Sequence, residues 1–176
     1  RHVDAFGMAD LDAGTPLEPG TTFDIASVSK QFTAGALALA VLDGDVSLDD
    51  DVTSIIPEVG PFDQVVTVSD LVHHTSGLPD YTELLDADDD EVTTTDDAIA
   101  TVVGDDVRLT NQPGTTFEYS NTNYVLMGEI VERTTGRSLA SYTDERIFEP
   151  LGMDASVVRD DQGTRLEGQA QGYADD

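Results

Sequence analysis

Phe23-Asp24-Ile25-Ala26-Ser27-Val28-Ser29-Lys30-Gln31-Phe32-Thr33-Ala34 holds the only lysine among 176 residues. The other seven basic residues are arginine, against 36 acidic ones. Lys30 follows Ser27 by three positions, so at the start of a helix its amine stands beside the serine hydroxyl. That arrangement makes a serine acylable. Arginine cannot take the place of Lys30, because its guanidinium stays protonated at any working pH. A Ser-x-x-Lys pattern occurs by chance in many proteins; its weight here comes from the rarity of lysine and from partner motifs further along.

Outward from this segment, the pattern predicts a helix from Ser27 to Asp43, stopped by Gly44. Its body, Phe32 to Leu42, is apolar nearly all round, which predicts burial on every side and a nucleophile fixed by burial. Upstream, Val3 to Leu11 reads as a strand, followed by a turn through Asp12-Ala13-Gly14-Thr15-Pro16 and a short extended piece at Thr21 to Ile25. Downstream, Thr67-Val68-Ser69-Asp70 and Thr94-Thr95-Asp96-Asp97 are capping boxes that open helices. Tyr124 to Arg133 is periodic and ends at Gly136; Tyr124, Leu126, Met127, Ile130 and Val131 form its core face. Ser138 caps a helix reaching Phe148, which Pro150 and Gly152 close. Strands at the front and helices in the middle make an α+β protein.

The net charge is -28, with 26 Asp and 10 Glu. Clusters such as Asp49-Asp50-Asp51 and Asp86-Ala87-Asp88-Asp89-Asp90-Glu91 are spread along the sequence rather than gathered in a tail. The apolar helical segments argue against disorder as the explanation, and no stretch has the loop spacing of a calcium site. Low lysine and Asp over Glu resemble haloarchaeal proteins, where salt screens the self-repulsion. A halophilic protein that unfolds in dilute buffer is the expectation. Nothing forms a basic face, which argues against nucleic acid and anionic membrane as partners. No stretch approaches the roughly 18 apolar residues of a membrane span. There is no cysteine, so thiolate chemistry is excluded and the redox compartment stays open. The sequence opens inside what reads as a strand, so an export signal would lie upstream of Arg1 and the location is open too.

The second chemical motif is Tyr119-Ser120-Asn121, after the turn at Gln112-Pro113-Gly114. A tyrosine there can receive the serine proton and return it to a leaving group, provided a neighbouring ammonium such as Lys30 lowers its pKa from about 10. Asn121 offers an amide to both the lysine and a substrate carbonyl. His73 and His74 do not form a metal pair, since adjacent helical residues point about 100° apart; helix-end packing or a loop hydrogen bond is their reading. Ser76-Gly77 reads as turn chemistry.

With these motifs in order, the chain resembles the serine β-lactamase and penicillin-binding-protein superfamily, in its class C β-lactamase, D,D-peptidase and family VIII esterase branch. The segment Phe23 to Ala34 is similar to the family's nucleophile region. His74-Thr75-Ser76-Gly77-Leu78-Pro79 is similar to its characteristic loop, and Gln112 to Asn121 to its second motif. Glu149-Pro150-Leu151-Gly152-Met153 and Ala170-Gln171-Gly172-Tyr173 follow in the same order.

The resemblance implies a β-lactamase/transpeptidase-like fold, an antiparallel sheet flanked by helices plus a mostly helical subdomain. Residues 1–45 would carry the front strands and nucleophile helix, 46–158 the helical subdomain, and 159–176 the return to the sheet. It implies Ser27 as nucleophile and half of an oxyanion hole, Lys30 as holder of the proton network, Tyr119 as general base then acid, and Asn121 as substrate-binding residue. It implies no metal and no cofactor. The partner would be a small molecule or peptide with a carbonyl to acylate Ser27; oligomeric state is open. The family's third motif, Lys-Thr-Gly or His-x-Gly, is not met: Lys30 is the only lysine, and His2, His73 and His74 all precede Tyr119. The expectation is therefore the front part of a longer serine hydrolase, with a non-catalytic binding or scaffold protein, or an inactive fragment lacking the third motif, as the alternative.

Overall fold

The computed structural model describes residues 2–85, 94–103, 108–159 and 166–173. The acidic cluster at 86–91 lies outside the described residues. Contacts divide the chain into two compact units, Arg1–Ser29 with Gly163–Asp176, and Lys30–Gln162.

In the first unit, β1 (Met8–Asp10) pairs antiparallel with β2 (Thr15–Pro16). The strand is shorter than the sequence suggested. Gly7, at φ 96°, breaks the extended backbone ahead of it, and Asp10 Oδ1 accepts the Ala13 N–H at 2.8 Å to close the turn behind it. The second extended piece is reduced to a parallel bridge between Thr22 and Gln169. Tyr173, whose place the sequence did not reveal, ties this unit together: its hydroxyl accepts from Leu11 N at 2.8 Å and donates to the Asp10 carboxylate at 3.2 Å. Ala9 is the one buried hydrophobic side chain among the unit's described residues. A hairpin of this size with so little burial rests on its hydrogen bonds and is marginal by itself.

The second unit is helical, with α1 (Lys30–Asp43), α2 (Val52–Ile55), α3 (Val68–Val72), α4 (Tyr81–Leu84), α5 (Thr95–Thr101), α6 (Asn121–Thr135) and α7 (Leu139–Thr143). A π-helical turn, Asp144–Phe148, then leads into α8 (Glu149–Leu151). Both expected capping boxes are formed, Thr67 with Asp70 and Thr94 with Asp97. Ser138 caps α7 through the Ser141 N–H. Gly136 and Gly152 end their helices in the left-handed conformation, at φ 69° and 63°, a state a β-carbon makes costly.

The core is built where α1 crosses α6. Ala36, Leu37 and Ala40 pack with Leu126, Met127, Ile130 and Val131. Small residues let the neighbours close in: a β-carbon on Gly35 would stand 3.4 Å from Ile147 Cδ1. The expected all-round burial of α1 is not met, since Leu42 is 80 % exposed. The elements packed on α1 are α6, α7 and the π turn, and they leave part of its apolar surface uncovered among the described residues.

Candidate active site

Lys30 is the first residue of α1 and Asn121 the first of α6, so the packing of those two helices brings their side chains together. Lys30 Nζ donates to Asn121 Oδ1 at 2.8 Å. The same oxygen accepts from the Tyr119 hydroxyl at 3.3 Å. Nζ also stands 5.1 Å from the Tyr119 ring centroid and 5.6 Å from that of Tyr124, within cation–π range. Three of the four residues singled out by sequence thus converge on one oxygen. Tyr124 joins them; the sequence placed it with the core face instead.

Ser27 belongs to the first unit. It lies on a 3-10 turn, Ala26–Ser29, three residues before Lys30 in the chain, and it is exposed. Burial therefore does not fix Ser27, contrary to expectation. Local hydrogen bonds set its turn: Asp24 Oδ1 accepts from Ala26 N at 2.8 Å, Val28 N donates to Ile25 O at 2.9 Å, and Ser29 Oγ donates to Ala26 O at 2.6 Å. Ala26 sits at φ 43°, which for a residue with a β-carbon costs on the order of 1–2 kcal/mol. Such outliers persist only where the surrounding structure over-determines them.

The loop from His74 to Asp80 supports Tyr119 and Asn121, and sequence reasoning gave it no such part. His74, itself at φ 54° and 9 % exposed, stacks on Tyr119 and Tyr124 with ring centroids 4.7 and 5.1 Å away. Its Nδ1 accepts from the Ser120 backbone N–H and from Asn123 Nδ2, each at 3.2 Å. Ser76 Oγ donates to the buried Asn123 Oδ1 at 2.6 Å. Asp80 Oδ2 accepts from both the backbone N–H and Nδ2 of Asn121, at 3.0 and 2.9 Å. Backbone bonds lay the loop against the strand-like approach to Tyr119, with Glu118 N donating to His74 O at 2.8 Å and Thr110 N to Gly77 O at 2.8 Å. Gly77 is obligatory there, because its φ is 73° and a β-carbon would run into the Asn111 backbone.

A family model described as Beta-lactamase matches residues 1–174. The chain belongs to the β-lactamase family. It is 34 % identical over 176 residues to penicillin-binding protein 4* of Bacillus subtilis (strain 168), covering 98 % of this chain and 39 % of that one. It is 37 % identical over 164 residues to a D-aminopeptidase of Cereibacter sphaeroides, covering 89 % and 30 %. Among solved structures, D-amino acid amidase from Ochrobactrum anthropi SV3, complexed with L-phenylalanine amide, superposes with a TM-score of 0.78 at 32 % identity, over 96 % of this chain and 47 % of that one. The chain thus spans less than half the length of each of these relatives. The β-lactamase/transpeptidase fold read from the motifs is the observed one.

Within this β-lactamase-family site the three tyrosines near Lys30 and Asp80 are not equivalent. Burial, and then the charge of Tyr119, push the Tyr124 phenol above its ordinary value. Burial and the Asp80 carboxylate do the same to Tyr81. Both stay protonated at working pH.

Burial, and then the Lys30 ammonium, hold the His74 imidazole below the ordinary 6.5, with Asp80 partly offsetting them. The neutral ring is the one that fits, since a protonated Nδ1 would face two N–H donors. The folded value is the lower one, so the stability linked to His74 is complete above the unfolded value and lost as pH falls through the folded one. The melting temperature is therefore expected to drop as pH falls from 7 to 5. His74→Asn keeps an acceptor near Nδ1 and tolerates the left-handed backbone; it should melt lower at pH 8 yet show a flatter profile. An equally steep profile in that variant would exclude His74 as the group responsible.

Proposed function

We propose that this chain carries the acylation machinery of a serine hydrolase that cleaves an amide or ester through a Ser27 acyl-enzyme. Ser27 Oγ attacks the substrate carbonyl carbon while its proton passes to the Tyr119 oxygen. The resulting oxyanion is met by the Ser27 backbone N–H, a kind of donor worth about 2.7–4 kcal/mol where removed singly. Collapse expels the amine or alkoxide, which takes the proton back from Tyr119, and the acyl group stays on Ser27. Water then attacks the ester, again giving its proton to Tyr119, and Ser27 is regenerated. Lys30 favours the deprotonated phenol by its charge and holds the proton network between Ser27 and Tyr119 through its amine, and Asn121 holds the lysine and the tyrosine in register.

The observation that carries this reading is the convergence of Lys30 Nζ and the Tyr119 hydroxyl on Asn121 Oδ1. Lys30 is the only lysine in these 176 residues. D-aminopeptidase and D-amino acid amidase are among the similar proteins, which supports an amide flanked by a D-residue as substrate; β-lactams and carboxylic esters pass through the same acyl-enzyme. The test is mixing the chain in concentrated KCl with a p-nitrophenyl ester, a D-phenylalanine p-nitroanilide and a chromogenic cephalosporin. A burst of chromophore approaching one equivalent per chain is expected from at least one of them. No release from any, on a chain with native near-UV circular dichroism, would contradict the proposal and favour a non-catalytic binding protein.

A further inference from the structure

We propose that Asp80 is a positioning residue that fixes which way the Asn121 carboxamide points, an inference that rests on the acylation reading above. An asparagine amide is nearly symmetric in shape, so packing alone does not choose between its two orientations. Charge does. One end of the Asn121 amide faces the Lys30 ammonium at 2.8 Å and the other faces the Asp80 carboxylate at 2.9 Å. With the oxygen toward Lys30 and the NH2 toward Asp80, both contacts are charge-assisted hydrogen bonds. Turned over, the amide would set N–H groups against an ammonium and an oxygen against a carboxylate, two repulsive contacts in a part-buried site.

Asp80 is itself held for this purpose. Its Oδ2 also accepts the Asn121 backbone N–H at 3.0 Å, at the positive end of the 15-residue helix α6, where an anion is favoured. Its Oδ1 caps α4 by accepting from Thr82 N at 3.0 Å and Thr82 Oγ1 at 2.9 Å. The carboxylate is therefore anchored from two helices, and the Asn121 oxygen is delivered to Lys30 and Tyr119.

Asp80→Asn separates this from a structural role, because asparagine is as good an N-cap as aspartate but has no charge with which to orient a second amide. If the introduced carboxamide keeps its oxygen on Thr82, its NH2 faces the backbone N–H and NH2 of Asn121, and the Asn121 orientation is left to Lys30 and Tyr119 alone. The variant should stay folded and be acylated about 10–100-fold more slowly, the range for losing an outer group that orients a reacting one. In an Asn121→Ala background Asp80→Asn should cause no further loss, since Asp80 acts through Asn121.

The second readout does not need turnover. In 15N spectra the side-chain NH2 pair of Asn121, assigned by its disappearance in Asn121→Ala, should shift on Asp80→Asn while the pairs of Asn111 and Asn123 hold. An unlabelled wild-type chain would remove the acylation reading and leave the NMR shift to decide the Asn121 orientation. A wild-type rate together with an unmoved Asn121 pair in Asp80→Asn, or additive losses in the double variant, would overturn the inference.

Discussion

Replacing Lys30 by arginine is expected to slow acylation of Ser27 by about 10²–10⁴-fold, the usual weight of general acid–base catalysis. The substitution keeps a positive charge next to Tyr119 but removes the amine that can give up a proton. It also replaces a compact ammonium by a planar fork. Nζ is placed over two tyrosine rings at 5.1 and 5.6 Å while donating to a single oxygen at 2.8 Å, and a guanidinium cannot keep all three relations. Lys30→Met, which keeps length without charge, should lose at least as much. Rates of single-turnover labelling, compared at equal near-UV circular dichroism, decide the matter; an arginine variant within a factor of about three of wild type would refute the proton-network account.

Transfer from concentrated KCl to dilute buffer is expected to abolish the native near-UV circular dichroism. The chain carries a formal charge of -28, and few cations are available to offset it. Arg133 with Glu58 and Glu129, Arg137 with Glu145, and Arg146 with Asp43 form ion pairs at the surface, where a single pair contributes about 0–1 kcal/mol. Carboxylate repulsion is long-ranged when the Debye length is about 10 Å, at 0.1 M salt, and short-ranged at about 3 Å, at 1 M. The first unit, with Ala9 as its one buried hydrophobic among described residues, has the least burial to set against that repulsion. Retention of the full native spectrum below 0.1 M salt would refute the halophilic reading.

What the sequence revealed, and what it hid, follows the range of the interactions concerned. The capping boxes at Thr67 and Thr94 and the glycine stops at Gly136 and Gly152 depend on residues three or four apart, and they were readable. The proximity of Lys30, Tyr119 and Asn121 was readable because their residue types and order match a motif. The supports of that site were not. His74 reaches Ser120 across 46 positions and Asp80 reaches Asn121 across 41, and nothing local in His74-Thr75-Ser76-Gly77-Leu78-Pro79-Asp80 distinguishes a brace from a turn. Asp80, which caps the short helix at Tyr81 and also holds Asn121, was not singled out by sequence at all. Tyr124 fell in with the core face because periodicity assigns a residue to a helix face without saying that the face ends at the site. The left-handed backbone at Ala26 was hidden too, since alanine carries none of the signals that glycine or asparagine would.

The acyl-enzyme on Ser27 is tested most directly by intact-mass labelling of the chain in concentrated KCl, with a fluorophosphonate and separately with a penicillin. The account predicts a single adduct with at least one reagent, mapping by peptide analysis to Ser27 and absent from Ser27→Ala. An adduct at another residue, equal labelling of the alanine variant, or no adduct on a chain with its native spectrum intact would contradict it.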